Sequence, residues 1–234
     1  MDLPLPPQAA KRLLRDLRQA HSEELKQNGI WYSDDDSNIM KGTAMIRGPP
    51  DTPYANCLLF FKFEMSHDYP FSPPKVTFLT GDGSTRMHPN LYVQGKVCLS
   101  ILGTFPGPSW SANMTLETVL LNLQSLLDEN PLANEPAYTA GKLTDIRHKS
   151  YAEAVEHQMV AYMAHLFQQI ELKREGYWTP FEDQIQTLRN ELLDNLEDKC
   201  ETREEKVWNN LNYGMAVSSK WNQLKERFHS FSRT

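Results

Sequence analysis

Apolar positions near the start of the chain recur at spacings of three and four, the period of an amphipathic helix. Pro6 and Pro7 suit the first turn of such a helix, because the amide hydrogen that proline lacks is not needed there. The pattern predicts a helix over residues 7–25, with a basic face beside the apolar one. The apolar positions are Ala10, Leu13, Leu14, Leu17, Ala20 and Leu25.

Segments with the pattern of β-strands follow this helix. Residues 57–65 alternate best, residues 39–46 fit more loosely, and a third strand is predicted at 75–79, after a proline-rich loop. Glycine and proline between the first two strands predict a turn. An antiparallel meander with one buried face is the simplest arrangement. In the best strand, one face is expected to carry Leu59, Phe61, Phe63 and Met65.

A long segment without clear periodicity separates the strands from two further helices. Residues 80–114 are irregular, and loops of this length are usually functional or disordered. We expect an ordered loop, because it contains Trp110 and aliphatic residues that can pack. Helices are predicted at 115–130, where a wide apolar stripe suits a core position, and at 149–175.

The C-terminal part of the chain has its own pattern. Residues 181–211 carry apolar side chains at helical spacing. Between Glu182 and Glu205 the sequence has nine acidic and three basic residues. Two interpretations stay open: amphipathic helices that pack on the main domain, or an arm that binds a partner protein. The apolar positions are Ile185, Leu188, Leu192, Leu196 and Cys200, followed by Trp221, Leu224, Phe228 and Phe231.

Composition narrows the class of protein. The chain has 234 residues and a formal net charge of −6, a balance that gives no indication of nucleic acid binding. Cys57, Cys98 and Cys200 are an odd number without CxxC spacing, which favours a reduced, intracellular protein with neither disulfides nor a metal site. The first residues lack the apolar core of a signal peptide, and no apolar run is long enough for a membrane span.

One stretch concentrates candidate chemistry. HPNLYVQGKVCLSIL, from His88 to Leu102, holds a histidine, an asparagine and a cysteine. Cys98 could be a nucleophile, with His88 as its base and Asn90 as a hydrogen-bond donor to a developing oxyanion. Spacing alone favours the other interpretation, a small packing residue at the end of a strand, because free cysteine is often buried.

This stretch resembles the active-site signature of ubiquitin-conjugating enzymes, in which the His-Pro-Asn triplet, Gly95 and Cys98 have the family's spacing. The motifs GPPDTPY, DYPFSPPKVTF and WS, and the helix after them, occur in the family's order, so the resemblance covers residues 8–170. Ser100 replaces a typical aspartate, extra residues precede Trp110, and ENPLANEPAY replaces the usual Asn-Pro-Asp-Asp-Pro stretch. These departures, with the helical extension, resemble the Z-type branch of the family.

The resemblance implies a covalent mechanism. Cys98 would accept ubiquitin or a ubiquitin-like modifier from an activating enzyme as a thioester, and a substrate lysine or a ligase cysteine would then attack. Asn90 would donate to the oxyanion or hold the active-site loop, and His88 would be structural. Glu135, before Pro136, is the nearest match to the residue that assists the lysine, although a solvated turn is the alternative. No cofactor is expected, because ATP is consumed by the activating enzyme.

The resemblance also implies binding surfaces. The basic face of the first helix would bind the activating enzyme, although spacing alone equally fits a solvated face; its residues are Lys11, Arg12, Arg15 and Arg18. Phe71 and Ala112 match the two loops that bind ligases of the RING type. Because Ala112 replaces a proline, we expect an unusual set of ligases or a weak surface.

The fold class implied is α+β: an N-terminal helix, a four-stranded antiparallel meander, the active-site loop and C-terminal helices. The expected domains are a catalytic domain at 1–170 and a helical extension at 171–234. Two other functions stay open: an inactive binding module with this fold, and a cysteine hydrolase. Expected partners are the modifier, its activating enzyme, a ligase and a substrate lysine, with no nucleic acid or membrane. The expected location is the cytoplasm, with the nucleus as a second site.

Overall fold

The structure is a computed structural model that describes residues 6–233. Six helices and six strands follow one another along this part of the chain, joined by loops and short 3₁₀ turns. In chain order they are α1 (Pro7–Ala20), α2 (Glu23–Gln27), β1 (Ile30–Asp35), β2 (Asn38–Arg47), β3 (Leu58–Glu64), β4 (Lys75–Phe78), α3 (Leu116–Ser125), α4 (Ile146–Glu171), α5 (Glu182–Thr202), β5 (Val207–Trp208), β6 (Val217–Ser218) and α6 (Trp221–Ser230).

The predicted first helix is two helices. α1 ends at Ala20, and Ser22 begins α2 because its hydroxyl accepts a hydrogen bond from the Leu25 amide. The predicted apolar face is wrong at Leu14, whose side chain is 46% exposed. The buried position on this turn is Asp16 instead, because Arg12 and the Tyr69 hydroxyl both donate hydrogen bonds to its carboxylate.

The first four strands form one antiparallel sheet in the order β1-β2-β3-β4. The α+β class and the four-stranded meander are therefore confirmed. Pairing places Ile46 of β2 opposite Leu59 of β3, and Phe61 of β3 opposite Phe78 of β4. The apolar pattern alone did not predict β1, whose last three residues are the polar run Ser-Asp-Asp.

The sheet is covered on both faces, so the prediction of one buried face was wrong for β3. Residues 58–61 are all fully buried. On one face, the ring of Phe63 contacts Tyr32 at 5.6 Å between centroids. On the other face, the ring of Phe60 contacts Tyr177 and Phe181 at 5.2 and 6.0 Å, and both of these belong to the C-terminal extension. Apolar residues therefore face both layers of the core.

The long loop between β4 and α3 is ordered, as expected. Its regular structure is a 3₁₀ turn at Ser100–Leu102 and a few isolated bridges. Thr115 and Thr118 then form a capping box that starts α3, since each side chain bonds the other residue's amide. α3 presents four fully buried aliphatic side chains to the core.

The extension packs on the main domain, which favours the first of the two interpretations of its pattern. α5 and α6 contact each other, and α6 also contacts α4. Their predicted apolar positions are buried apart from Leu188, which is half-buried. The predicted boundary at 170/171 falls in the last turn of α4, which ends at Glu171, and stays a prediction. Within residues 6–233 there is no helix with the length and apolar character needed to cross a membrane.

Candidate active site

A small turn of backbone carries Cys98. Isolated bridges pair His88 with Leu91 and Leu91 with Val97, and the amide of Gly95 bonds the Tyr92 carbonyl at 2.8 Å. Gly95 has a left-handed φ of 90°, and a Cβ there would lie 2.8 Å from Thr77 Cγ2 and 3.0 Å from the Phe78 carbonyl oxygen. Glycine is required at this position because the turn presses directly against β4.

Asn90 fixes the peptide groups of Cys98. The Cys98 amide donates to the Asn90 carbonyl at 2.8 Å, and Asn90 Nδ2 donates to the Cys98 carbonyl at 2.7 Å. Both residues are buried, with Cys98 only 5% exposed. Two roles are expected for Asn90. The hydrogen bonds that it makes to Cys98 in this structure correspond to the role of holding the active-site loop.

His88 has the environment of a structural residue. Its ring is completely buried, and its Nδ1 accepts a hydrogen bond from the Asn90 amide at 2.9 Å. Burial lowers the pKa of His88 to about 3, against a smaller opposing effect of the Leu126 backbone, so the ring is neutral and carries its hydrogen on Nε2. The unprotonated nitrogen of His88, Nδ1, is the one that would act as a base, and it already accepts the hydrogen bond from the Asn90 amide.

Thr104 braces the cysteine from the other side of the loop. Its hydroxyl accepts from the Leu99 amide at 3.0 Å and donates to the Val97 carbonyl at 2.7 Å. One side chain therefore ties together the residues immediately before and after Cys98. Thr104 lies in the stretch between Cys98 and Trp110 where this chain departs from the typical family pattern.

Arg86 stabilises the His-Pro-Asn turn through hydrogen bonds to its backbone. Its guanidinium donates to the carbonyls of His88 and Pro89 and lies 3.2 Å from the centroid of the Tyr92 ring. Its own carbonyl accepts from the Tyr151 hydroxyl at 2.7 Å, which links the turn to α4.

Glu135 lies between two 3₁₀ turns and is half-buried. Its Oε2 accepts a hydrogen bond from the Tyr213 hydroxyl at 2.7 Å. The Tyr213 ring in turn lies 4.9 Å from the Arg86 guanidinium and 6.0 Å from the Tyr151 ring. Glu135 is thus joined, through the extension, to the residues that carry the His-Pro-Asn turn.

The basic residues of α1 fall into two groups. Lys11, Arg15 and Arg18 are exposed around the exposed Leu14, so they form a basic surface with an apolar centre. Arg12 differs, because its side chain is only 18% exposed. It donates to the carbonyls of Ala112 and Met114, both at 2.7 Å, and to the buried carboxylate of Asp16 at 2.9 Å; it is committed to the fold.

The two predicted ligase loops are attached to the same helix. Phe71 is 81% exposed at the tip of the first loop. Trp110 donates from its indole nitrogen to the Pro70 carbonyl at 2.8 Å, which joins the first loop to the second. Ala112 is half-buried and contributes its carbonyl to Arg12.

The other two cysteines lie outside this arrangement. All three cysteines are free, but burial raises the pKa values of Cys57 and Cys200 to about 12. A thiol reacts as thiolate, so these two are poor nucleophiles at neutral pH. Candidate thiol chemistry therefore falls on Cys98.

Sequence reasoning missed Arg86, Thr104 and Tyr213. Arg86 directly precedes the Met-His-Pro-Asn run and Thr104 follows the cysteine closely, so proximity in the sequence was a usable signal for both. Tyr213 is more than a hundred residues from Cys98, and nothing in its local sequence indicates where the extension packs.

Comparison with known proteins places this geometry in a family. The family model described as ubiquitin-conjugating enzyme matches residues 12–159. The ubiquitin-conjugating enzyme E2 Z of Xenopus tropicalis is 39% identical over 154 residues, which are 65% of this chain and 48% of that protein. The human E2 Z is 39% identical over 155 residues, 66% of this chain and 43% of that protein. The match thus spans about half the length of these relatives.

A solved structure agrees with the sequence matches. The E2 domain of a ubiquitin conjugating enzyme from Toxoplasma gondii superposes with a TM-score of 0.51 at 28% identity, covering 65% of this chain and 97% of that one. The resemblance to the family, including its Z-type branch, is confirmed. From the match of the family model, the order of the motifs and the shared fold, it follows that this chain belongs to the ubiquitin-conjugating enzyme family.

Proposed function

We propose that this protein is an active ubiquitin-conjugating enzyme that carries ubiquitin or a ubiquitin-like modifier on Cys98. The observation that carries the proposal is the cysteine itself, held by Asn90 and Thr104 within an intact His-Pro-Asn loop. In the first step the Cys98 thiolate attacks the thioester of the activating enzyme. A new carbon–sulfur bond forms at Cys98, and the activating enzyme leaves as thiolate.

In the second step a substrate lysine or a ligase cysteine attacks the Cys98 thioester. With lysine, a carbon–nitrogen bond forms, the carbon–sulfur bond breaks, and the surplus proton of the amine passes to solvent. Asn90 supports this step by holding the loop, and its amide also has a second N–H to offer the oxyanion. Lysine, whose ordinary pKa of about 10.4 keeps it protonated at neutral pH, must first lose a proton to solvent, and Glu135 then orients the neutral amine by accepting a hydrogen bond from it.

The binding surfaces are proposed from exposure and charge. Lys11, Arg15 and Arg18 form the surface for an acidic region of the activating enzyme, and Arg12 supports this surface from within. Phe71 and the Ala112 loop form the surface for a RING-type ligase. Because rim charges act mainly through the rate of association, salt should weaken the encounter with the activating enzyme. We place the protein in the cytoplasm and nucleus.

The alternatives are less well supported. An inactive binding module needs no cysteine, yet Cys98 is present with its backbone fixed on both sides. A cysteine hydrolase needs a base beside the cysteine. His88 does not fit this role, because it is neutral and fully buried and its Nδ1 accepts a hydrogen bond from the Asn90 amide.

A loading assay tests the proposal. Activating enzyme, ATP, a labelled modifier and this protein are combined and run on a non-reducing gel, with ubiquitin and ubiquitin-like modifiers each paired with their activating enzymes. We expect a band that thiol reagents remove and that is absent in Cys98→Ala, whereas Cys200→Ala should load like wild type. Absence of a band with every pairing would refute the enzymatic proposal and favour the binding module.

Asn90→Ala separates the two steps. We expect it to slow transfer to lysine more than loading, by about 10²–10³ if the amide donates to the oxyanion. Single-turnover discharge of the preformed thioester measures this rate. Equal slowing of loading and discharge would reduce Asn90 to its loop-holding role.

A further inference from the structure

The segment at 205–220, which forms most of the connection from α5 to α6, is fixed against α4. Its ends are clamped together, since the Lys206 amide donates to Ser219 Oγ at 2.6 Å and the Ser219 amide donates to the Lys206 carbonyl at 2.8 Å. Trp208 is 7% exposed and packs in a small cluster with Ala154 of α4. The segment therefore has a defined position on the catalytic domain.

Tyr213 lies at the turn of this segment. Its φ is 63°, a left-handed value that costs strain in a residue with a side chain, and Gly214 follows at 68°. The strained conformation directs the hydroxyl to Glu135 Oε2 at 2.7 Å. The ring contacts Tyr151 edge-on and lies beside Arg86, while 41% of the residue is exposed.

These contacts connect Tyr213 to the reacting cysteine through a short series of neighbours. Arg86 lies beside the Tyr213 ring and donates to the carbonyls of His88 and Pro89. The next residue, Asn90, bonds both peptide groups of Cys98. The extension thus meets the active-site loop and the candidate lysine-assisting carboxylate at one point.

We propose that Tyr213 is a positioning residue for transfer to lysine, acting by holding the Glu135 carboxylate in place. This inference rests on the proposed function, because it presumes that Cys98 carries a modifier. A carboxylate has about four acceptor sites, so the bond from Tyr213 leaves capacity for an N–H of the incoming amine. Because the Glu135 carboxylate is already fixed, its conformational entropy need not be lost when the lysine binds. The acceptor site is then built jointly by the catalytic domain and the extension.

The test compares two nucleophiles on the preformed thioester. Tyr213→Phe keeps the ring and its contacts but removes the hydroxyl. We expect normal loading and normal discharge to 2-mercaptoethanol, because a thiol needs no help from a carboxylate. Discharge to free lysine should slow by about tenfold, as expected for losing one hydrogen bond to a charged group. Tyr177→Phe is the matched control: it removes another hydroxyl of the extension, bonded to Tyr162 at 2.9 Å, and should change neither discharge.

A double-mutant cycle identifies the route of the effect. If Tyr213 acts through Glu135, Tyr213→Phe should cause no further loss in a Glu135→Ala background. Equal slowing of both nucleophiles, full additivity with Glu135→Ala, or a wild-type rate with lysine would each overturn the inference while leaving the thioester proposal intact. So would a wild-type protein that loads but does not discharge to lysine. Failure of the wild type to load removes the proposed function itself, and the inference with it.

Discussion

The peptide groups around Cys98 are held by side chains from both sides of it in the sequence. Asn90 bonds the cysteine's own amide and carbonyl groups, and Thr104 bonds the carbonyl before it and the amide after it. A cysteine whose backbone is fixed in this way needs little reordering before it meets a thioester, so the rate of loading should depend on both residues.

Thr104→Val tests the second of these supports. It keeps the shape of the side chain but removes the hydroxyl, which should slow thioester formation by about three- to tenfold, as for one ordinary hydrogen bond. Loading kinetics under limiting activating enzyme measure the rate. Thr104→Ser retains the hydroxyl and should restore most of it; a serine variant as slow as the valine variant would assign the effect to packing.

His88 makes the stability of the fold depend on pH. Because burial lowers its pKa from 6.5 to about 3, the unfolded chain binds its proton first as the pH falls. The stabilisation is complete above about pH 6.5 and is lost toward pH 3, at about 1.4 kcal/mol per pH unit. His88 alone should thus lower the free energy of unfolding by about 2 kcal/mol between pH 6.5 and 5.

Urea denaturation between pH 7.5 and 5 measures this slope. His88→Gln should be flatter than wild type over this range, whatever its absolute stability. His165→Gln replaces an exposed histidine of α4 and should keep the wild-type slope. Identical slopes for wild type and His88→Gln would contradict the assignment of a neutral, buried ring.

At the scale of elements, α1 serves two purposes on two faces. Lys11, Arg15 and Arg18 point outward, while Arg12 and Asp16 join the helix to both loops that flank it. Helical spacing predicted the exposed basic face but not this buried polar contact. Arg12 and Asp16 are neighbours on the helix, but their remaining partners, Tyr69 and the carbonyls at 112–114, come from distant parts of the chain that helical spacing does not locate.

Arg12→Gln should therefore destabilise the fold. It leaves a buried carboxylate with too few donors and two carbonyls without their guanidinium, so the free energy of unfolding should fall by about 3–5 kcal/mol. Guanidinium denaturation measures the change. Arg18→Gln, on the exposed face, is the matched control and should leave stability nearly unchanged while weakening the salt-sensitive step of loading. Equal stabilities for the two variants would refute the buried role of Arg12.

The sheet shows how far a local pattern reaches. Alternation located β3 and separated its two faces correctly, but the second face was expected to meet solvent. That expectation was wrong at Leu58 and Phe60, which are both buried. Tyr177 and Phe181, far along the chain, cover Phe60. Burial of a strand depends on which remote segment packs against it, and periodicity carries no information about that.

At the scale of the molecule, the conjugating-enzyme domain and the extension share one core. Phe181 is 2% exposed against the sheet, and Phe167 of α4 contacts Phe231 at 6.0 Å. The motif around Cys98 was readable because its residues are close in sequence. The completed site was not, because Tyr213 reaches Glu135 only after the extension has folded back over α4.

A shared core should unfold as one unit. Phe181→Ala removes a large buried ring and should cost about 3–5 kcal/mol, lowering the midpoint of a single transition. Far-UV circular dichroism and tryptophan fluorescence should report the same midpoint in both wild type and variant. Leu172→Ala, at a side chain that is 55% exposed, is the control and should leave the midpoint in place. Two separate transitions would show that the extension is an independent unit.

Tyr177 and Phe181 make the outer face of the sheet a site that is already filled from within the same chain. A tethered occupant competes at an effective concentration in the millimolar range, whatever the concentration of the protein. Another protein could bind this face only by displacing these residues, and its binding free energy would be reduced by the free energy needed for that displacement. The part of the sheet around Phe60 is thereby closed to weak, passing partners.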